Sequence, residues 1–303
     1  MGQPDAKTRQ ALCKTAEFAD HARMSRLRLF ICVVLALLAF AGNSLLCRLA
    51  LKSTAVDAAT FTSVRLASGA LSLGLIVALR RHSARAGSWP AALALFVYAA
   101  AFSLAYVQLS AGTGALLLFG AVQASMIGYG LVRGERFTPR QVAGLLLALG
   151  GLLALLLPGL SAPPLRSSLL MLAAGGAWGA YSLLGRNAGD PLQATAGNFL
   201  RTLPLTIMFS ASAVQLFSWD ARGVLYAVAS GALTSGIGYA IWYTALPRLK
   251  ALQAATVQLS VPVVAALGGV ALLGESLTLR LLLCGVAILG GIALVIVEKA
   301  RVR

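Results

Sequence analysis

The sequence predicts an all-α integral membrane protein of ten transmembrane helices, built as two five-helix repeats of inverted topology. Three observations predict it. The chain is 59% hydrophobic and 11% charged, with a mean hydropathy of +0.84, whereas soluble domains carry about 25% charged residues. Ten apolar stretches of roughly 18–23 residues follow one another, each long enough to cross about 30 Å of hydrocarbon as a helix. Finally, one charged turn occurs twice. Gly134-Glu135-Arg136-Phe137-Thr138-Pro139-Arg140 leads into an apolar run ending Leu149-Gly150-Gly151, and 140 positions later Gly274-Glu275-Ser276-Leu277-Thr278-Leu279-Arg280 leads into one ending Leu289-Gly290-Gly291.

Residues 1–26 are polar and mixed in charge, and read as a cytoplasmic tail. The first apolar run continues to about Leu51, too long for a cleavable leader, and nine more spans follow it. The spans are 29–50, 58–79, 91–109, 113–132 and 141–158 in a first repeat over 27–160. Spans 167–185, 192–215, 223–245, 251–273 and 279–297 form a second repeat over 161–298, and 299–303 is a short C-terminal tail. Pro90, Pro139, Pro158, Pro163-Pro164, Pro191 and Pro247 stand at or beside span ends, where the missing N–H stops a helix or opens one. With the N-terminus inside, 18 Lys and Arg fall on inner segments and 5 on outer ones, with Arg65 and Arg201 inside spans. That bias places both termini in the cytoplasm.

The repeat extends beyond the turn. Ser44-Leu45-Leu46-Cys47-Arg48 answers Ser182-Leu183-Leu184-Gly185-Arg186, Arg65 answers Arg201, and Tyr106-Val107-Gln108-Leu109 answers Tyr243-Thr244-Ala245-Leu246. Each unit has five spans, an odd number, so the second copy enters the membrane upside down. Many transporters build two gates around one site in this way.

These residues resemble the drug/metabolite transporter superfamily, in particular its EamA-type members. The resemblance rests on the Tyr-x-x-Leu closing the third helix of each half, the Gly-Glu-x-x-Thr turn between the fourth and fifth, and an Arg inside each second helix. It covers about residues 27–298. Within the superfamily the whole sequence is most similar to the bacterial aromatic amino-acid exporters. The resemblance implies a central cavity ringed by spans one, three, four, six, eight and nine. It implies export of aromatic and other neutral amino acids by alternating access, with a drug or other metabolite as the alternative cargo.

None of the nine acids lies in the middle third of a span. This argues against organic cations as cargo and against a carboxylate proton relay, leaving uniport or exchange. A membrane-embedded enzyme needs a deep cluster of His, Asp, Glu or Cys, and the sequence offers none. Cys13, Cys32, Cys47 and Cys284 show no paired spacing, and His21 and His82 stand alone, so neither a metal nor a cofactor is expected. The net charge of +16 reflects positive inner loops rather than nucleic-acid binding. The expected partners are a small-molecule substrate and the lipid bilayer, and a monomer is expected.

The candidate substrate-binding residues are Phe40, Asn43 and Ser44 in span one, Phe102 and Tyr106 in span three, and Phe119 and Gln123 in span four. Trp178 and Tyr181 in span six, Tyr239, Trp242 and Tyr243 in span eight, and Gln258 in span nine complete them. Phe102 and Tyr106, and their counterparts Tyr239 and Tyr243, share a helix face at i, i+4. Tyr98 either extends that row or joins Trp89 and Trp219 at the headgroup level. Rings stack on rings, while the three amides hydrogen-bond the charged ends of an amino acid. Glu135 and Glu275 either pair with an Arg or a helix N-terminus in one gate state, or stabilise the start of the next helix. Arg65 and Arg201 either bind a substrate carboxylate or cap helix-end carbonyls; spans two and seven are not cavity helices in the family, which favours capping. Gly231, Gly236 and Gly238 soften span eight, and Pro262 should bend span nine.

Overall fold

The computed structural model describes residues 25–80, 86–134, 137–159, 162–185, 190–249 and 257–301. Within them the chain forms ten helices: α1 (Arg26–Ser53), α2 (Ala58–Leu79), α3 (Trp89–Tyr106), α4 (Ala111–Val132), α5 (Pro139–Leu156), α6 (Leu165–Leu184), α7 (Pro191–Ser212), α8 (Ala221–Ala245), α9 (Ser260–Leu273) and α10 (Leu279–Arg301). Eight are long and apolar enough to span a bilayer. The exceptions are α7, diluted by Thr195, Asn198, Arg201, Thr202 and Thr206, and α9, whose expected first turns fall outside the described residues. Most of the N-terminal tail, the last two residues and Glu135 also lie outside them.

The acids that sequence places at span ends cap helices there. Asp57, Asp190 and Asp220 accept backbone N–H bonds at the starts of α2, α7 and α8, where the helix carries its unpaired donors and positive dipole. Asp57 also accepts from the Ser218 N–H at 3.0 Å, tying the α1–α2 link to the α7–α8 link. Burial pushes its carboxyl up, but hydrogen bonds from Thr60, Ser218 and Ala59 outweigh that and hold it below the ordinary carboxylate range.

The repeated turn has a structural reason for its glycines, its threonines and Arg280. Gly134 and Gly274 both end a helix in the left-handed region, at φ +83° and +60°, which only glycine adopts without strain. Thr138 and Thr278 cap the next helix, accepting from the N–H groups of Gln141 and Leu281. Arg280 reaches across to the carbonyls of Ala154 and Leu157 at the end of α5.

Equivalent helices of the two halves meet directly and run in opposite directions. A Cβ on Gly144 of α5 would lie 2.7 Å from the Gly291 carbonyl oxygen of α10, while one on Gly151 would lie 3.2 Å from the Cys284 carbonyl oxygen. Rising numbers on one helix meet falling numbers on the other. The same sense holds for α2 on α7, through Ser63 with Ser210 and Gly69 with Phe199, and for α4 on α9, through Gly112 with Ala266 and Ala111 with Gly269. Between these pairs, α1 packs on α8 and α9 as α6 packs on α3 and α4. The halves are therefore interleaved about an approximate two-fold axis in the membrane plane, and the start of α1 and the end of α10 share one face. We refer to it as the terminal face.

The outer surface is apolar, with Leu71, Leu79, Leu146, Leu153, Met208 and Val286 exposed for lipid. Small and polar residues pack inward instead, because hydrocarbon gives no hydrophobic push between helices and close backbone contact must supply the attraction. In the Gly150-Gly151 and Gly290-Gly291 pairs only the second member is used. Gly151 and Gly291 face the partner helix, whereas Gly150 and Gly290 have open space around them.

Gly291→Leu is expected to lower thermal stability in detergent by about 1–3 kcal/mol, the usual cost of overpacking, and Gly290→Leu to leave it unchanged. Equal melting of the two variants would contradict this seam. Asp57→Ala is expected to cost about 1 kcal/mol, the usual loss of a cap. Because the folded carboxyl titrates below its unfolded value, that contribution is present above the unfolded pKa and fades as pH falls through the folded one. The deficit of the variant should therefore shrink in acid, as melting curves across pH will show.

Candidate functional site

The face opposite the termini is tied shut by one ion pair and the groups around it. Arg48, near the end of α1, places Nε 3.0 Å from Glu275 Oε1, and its Nη1 donates to the carbonyls of Tyr106 and Val107 at 2.9 Å. The second carboxylate oxygen of Glu275 accepts the Ala111 N–H at 2.8 Å, at the positive end of α4. Lys52 Nζ adds a bond to the Leu273 carbonyl. Glu275 thus serves a neighbouring helix start rather than that of α10.

Beneath this seal lies a cavity of about 480 Å³ that runs from Asn43 and Ser235 toward Gly185, Pro191 and Leu246 near the terminal face. Twelve of the thirteen predicted substrate-binding residues line it: Phe40, Asn43, Ser44, Phe102, Phe119, Gln123, Trp178, Tyr181, Tyr239, Trp242, Tyr243 and Gln258. Trp178 stands at the centre of the aromatic wall, with ring centroids 4.7 Å from Tyr98, 5.3 Å from Tyr181 and 5.6 Å from Tyr239. Phe40 meets Trp242 edge-on at 5.7 Å.

Tyr106 is the exception. It is fully buried under the seal, donates to the Ala111 carbonyl and packs against Gly114, where there is no side chain to hold it off. Its counterpart Tyr243 faces the cavity and accepts a bond from Thr195. One motif therefore occupies two environments, closed on one face and cavity-lining toward the other. Tyr98, left between the lipid belt and the cavity row, lines the cavity and is only 4% exposed. Trp89 and Trp219 are exposed.

All six cavity spans expected from the family contribute, span nine through Gln258 just before α9, and α7 contributes as well, through Pro191, Ala194, Thr195 and Asn198. This departs from the expectation for span seven. The signal was readable: Thr195, Asn198, Thr202 and Thr206 form a stripe at helical spacing along the span, and all four are buried. Thr234 and Ser235 of α8 also line the cavity and were not predicted. They sit in a π-helical stretch, Ser230–Ile237, whose wider turn shifts the register of the face that α8 presents. Gly231 and Gly236, within that stretch, press against the Arg65 carbonyl and the Ser72 hydroxyl of α2.

The two arginines inside spans differ. Arg201 donates to the Ala86 and Gly197 carbonyls at 2.9 Å, a capping arrangement. Arg65 is 1% exposed and caps no carbonyl among its described hydrogen bonds; its Nη2 donates to Tyr98 Oη at 3.1 Å, and the guanidinium lies over the rings of Tyr98 and Phe102 at 5.3 and 5.0 Å. Pro262 lies in the first turn of α9, and residues 257 and 258 are helical before a turn at Leu259. The missing proline N–H leaves the Gln258 carbonyl without its helical donor, which accounts for the interruption. Among the described residues no cluster of metal-binding side chains occurs.

Glu275→Gln is expected to weaken the seal by about 1–3 kcal/mol, the range for hydrogen bonds to charged groups left unmade. Labelling of the fully buried Cys47, next to Arg48 on α1, by a small polar thiol reagent should then rise roughly tenfold. Unchanged labelling would remove this ion pair from the closure.

A family model described as the EamA-like transporter family matches residues 165–297, the second repeat. The uncharacterized protein PA1977 of Pseudomonas aeruginosa is 59% identical over 274 residues, covering 90% of this chain and 96% of that protein. A solved crystal structure superposes with a TM-score of 0.63 at 20% identity, covering 92% of this chain and 100% of its own, which is a likeness of fold. With ten helices, an inverted repeat and a central cavity in place, the second repeat carries a domain of the EamA-like transporter family.

Proposed function

We propose that this transporter exports aromatic and other neutral amino acids across the bacterial inner membrane, by uniport or exchange, with both termini in the cytoplasm. Membrane transport of a small molecule follows from the family; the choice of cargo rests on the cavity. The observation that carries it is the lining. Phe40, Tyr98, Trp178, Tyr239 and Trp242 supply flat faces and edges, and Asn43, Gln123 and Gln258 supply amides, with no carboxylate among the described lining residues. A ring stacks on such a wall, and a zwitterion finds hydrogen-bonding partners without a fixed opposite charge. About 480 Å³ is within the usual size of small-molecule pockets.

Alternating access is the mode of movement proposed. The seal at Arg48 and Glu275 closes one face, the cavity extends toward the other, and the repeat supplies a related set of residues with which to exchange the two. Counterflow into proteoliposomes tests the reading. Pure protein preloaded with unlabelled L-phenylalanine should accumulate labelled L-phenylalanine and L-tryptophan, and Trp178→Ala should slow this by roughly tenfold, the effect of about 1.4 kcal/mol. Absence of exchange by the intact protein would overturn the choice of cargo.

A further inference from the structure

We infer that the sealed end of the cavity is a carboxylate-binding pole, built from Arg65, Tyr98, Asn43 and Ser235, and that it accepts aryl monocarboxylates whether or not they carry an amino group. The inference rests on the cavity reading above and deepens it.

Arg65 provides the first argument. The spans hold no acid at depth, and guanidinium keeps its charge under all ordinary conditions. Arg65 is buried at 1% exposure, yet its Nε and Nη1 have no hydrogen-bond partner among the described residues. A buried charge is costly unless paired. Among the described residues this cation meets two aromatic faces and one phenol oxygen and no carboxylate.

Tyr98 carries that need into the cavity. Its Oη accepts from Arg65 Nη2 at 3.1 Å and from Asn43 Nδ2 at 3.3 Å. Asn43 is fixed in that orientation, because its Oδ1 accepts from Ser230 Oγ at 2.7 Å. With both lone pairs of Oη engaged, the Tyr98 proton is left to donate, and the neighbouring cation strengthens it as a donor. Tyr98 and Asn43 line the cavity.

Ser235 is an independent observation. Its hydroxyl is buried without a partner among the described residues, and Ser235 lines the same cavity. Two donors in need of an acceptor thus occur at one pole, beside an unneutralised cation. A carboxylate answers all three, and the rest of the ligand extends along Trp178 and Tyr239. No described lining residue is an acid that would seat an ammonium group, so the carboxylate is required and the amine is not. Tyr98 contacts the ligand; Arg65 acts through it as a positioning residue.

Three probes that share a phenylethyl body test this: L-phenylalanine, 3-phenylpropanoate and 2-phenylethylamine. Binding to the detergent-solubilised full chain is followed by tryptophan fluorescence. L-Phenylalanine and 3-phenylpropanoate should bind comparably, and 2-phenylethylamine roughly tenfold or more weakly, as expected for a lost charge-assisted hydrogen bond. Arg65→Gln should bring the three affinities together, Arg65→Lys should restore part of the preference, and Tyr98→Phe should reduce it while the ring remains. Should Arg65→Gln fail to fold, Tyr98→Phe and Ser235→Ala decide the matter alone. Equal binding of all three probes by the intact protein, or a preference untouched by these variants, would overturn the carboxylate pole and leave the cavity reading standing. Binding of L-phenylalanine without 3-phenylpropanoate would overturn the optional amine. If none of the three binds, the cavity reading itself fails and this inference with it.

Discussion

The structure depends on the antiparallel seam where each half meets the other through backbone. Hydrocarbon gives apolar side chains no reason to leave it, so helices in a membrane are joined by close packing and hydrogen bonds. Along α5 and α10 the contacts are Gly144 on the Gly291 carbonyl and Gly151 on that of Cys284, one pair related to the other by the two-fold axis. Arg280 secures one end by binding the last carbonyls of α5. Equivalent helices can meet in this way only if they run in opposite directions, which an odd number of spans per repeat guarantees. The seam stands apart from the cavity, since no residue of α5 or α10 lines it. It serves as a frame that the site-bearing helices need not disturb.

Within that frame the two halves are alike in sequence and unlike in state. Tyr106 and Tyr243 close equivalent Tyr-x-x-Leu motifs, but the first is shut beneath Arg48 and Glu275 and the second faces the cavity. The pseudo-symmetry makes this difference meaningful. An arrangement available to one repeat is close in energy to the same arrangement of the other, differing by whatever the unshared residues contribute. Pro262, whose counterpart is Val122, is one such residue, and the π-helical stretch of α8 another. The access exchange proposed here needs two states within a few kcal/mol of each other.

Much of this was legible in the sequence because the membrane simplifies the reading. Span limits follow from hydropathy, and the Gly-Glu-x-x-Thr turn marks the repeat because several of its residues meet a local demand: a left-handed glycine, a threonine cap, and in the second copy a carbonyl-binding arginine. The aromatic wall was readable from i, i+4 spacing. Three features were harder. The Thr195–Asn198 stripe was visible but lay on a helix assigned to the periphery by family likeness. Thr234 and Ser235 depend on a π-helical register that a 3.6-residue period does not anticipate. Tyr106 was placed in the cavity because its motif matches that of Tyr243; a motif carries the local geometry and not which of two conformations encloses it.

The seal and the seam differ in chemistry for a reason that bears on movement. The seam is made of backbone contacts at van der Waals distance, and any separation there forfeits packing across whole helices. The seal is one ion pair, a helix N-terminus and a few carbonyls, at the edge of the membrane where water can replace each bond as it breaks. Hydrogen bonds to charged groups such as these contribute about 1–3 kcal/mol. A closure of that size holds one face shut yet yields to a modest change elsewhere, such as a ligand that binds the two states unequally. A hydrophobic plug would expose its apolar surface to water on opening and cost far more. The polar character of the Arg48–Glu275 closure, set against the glycine seam, therefore separates what can open in this fold from what must stay closed.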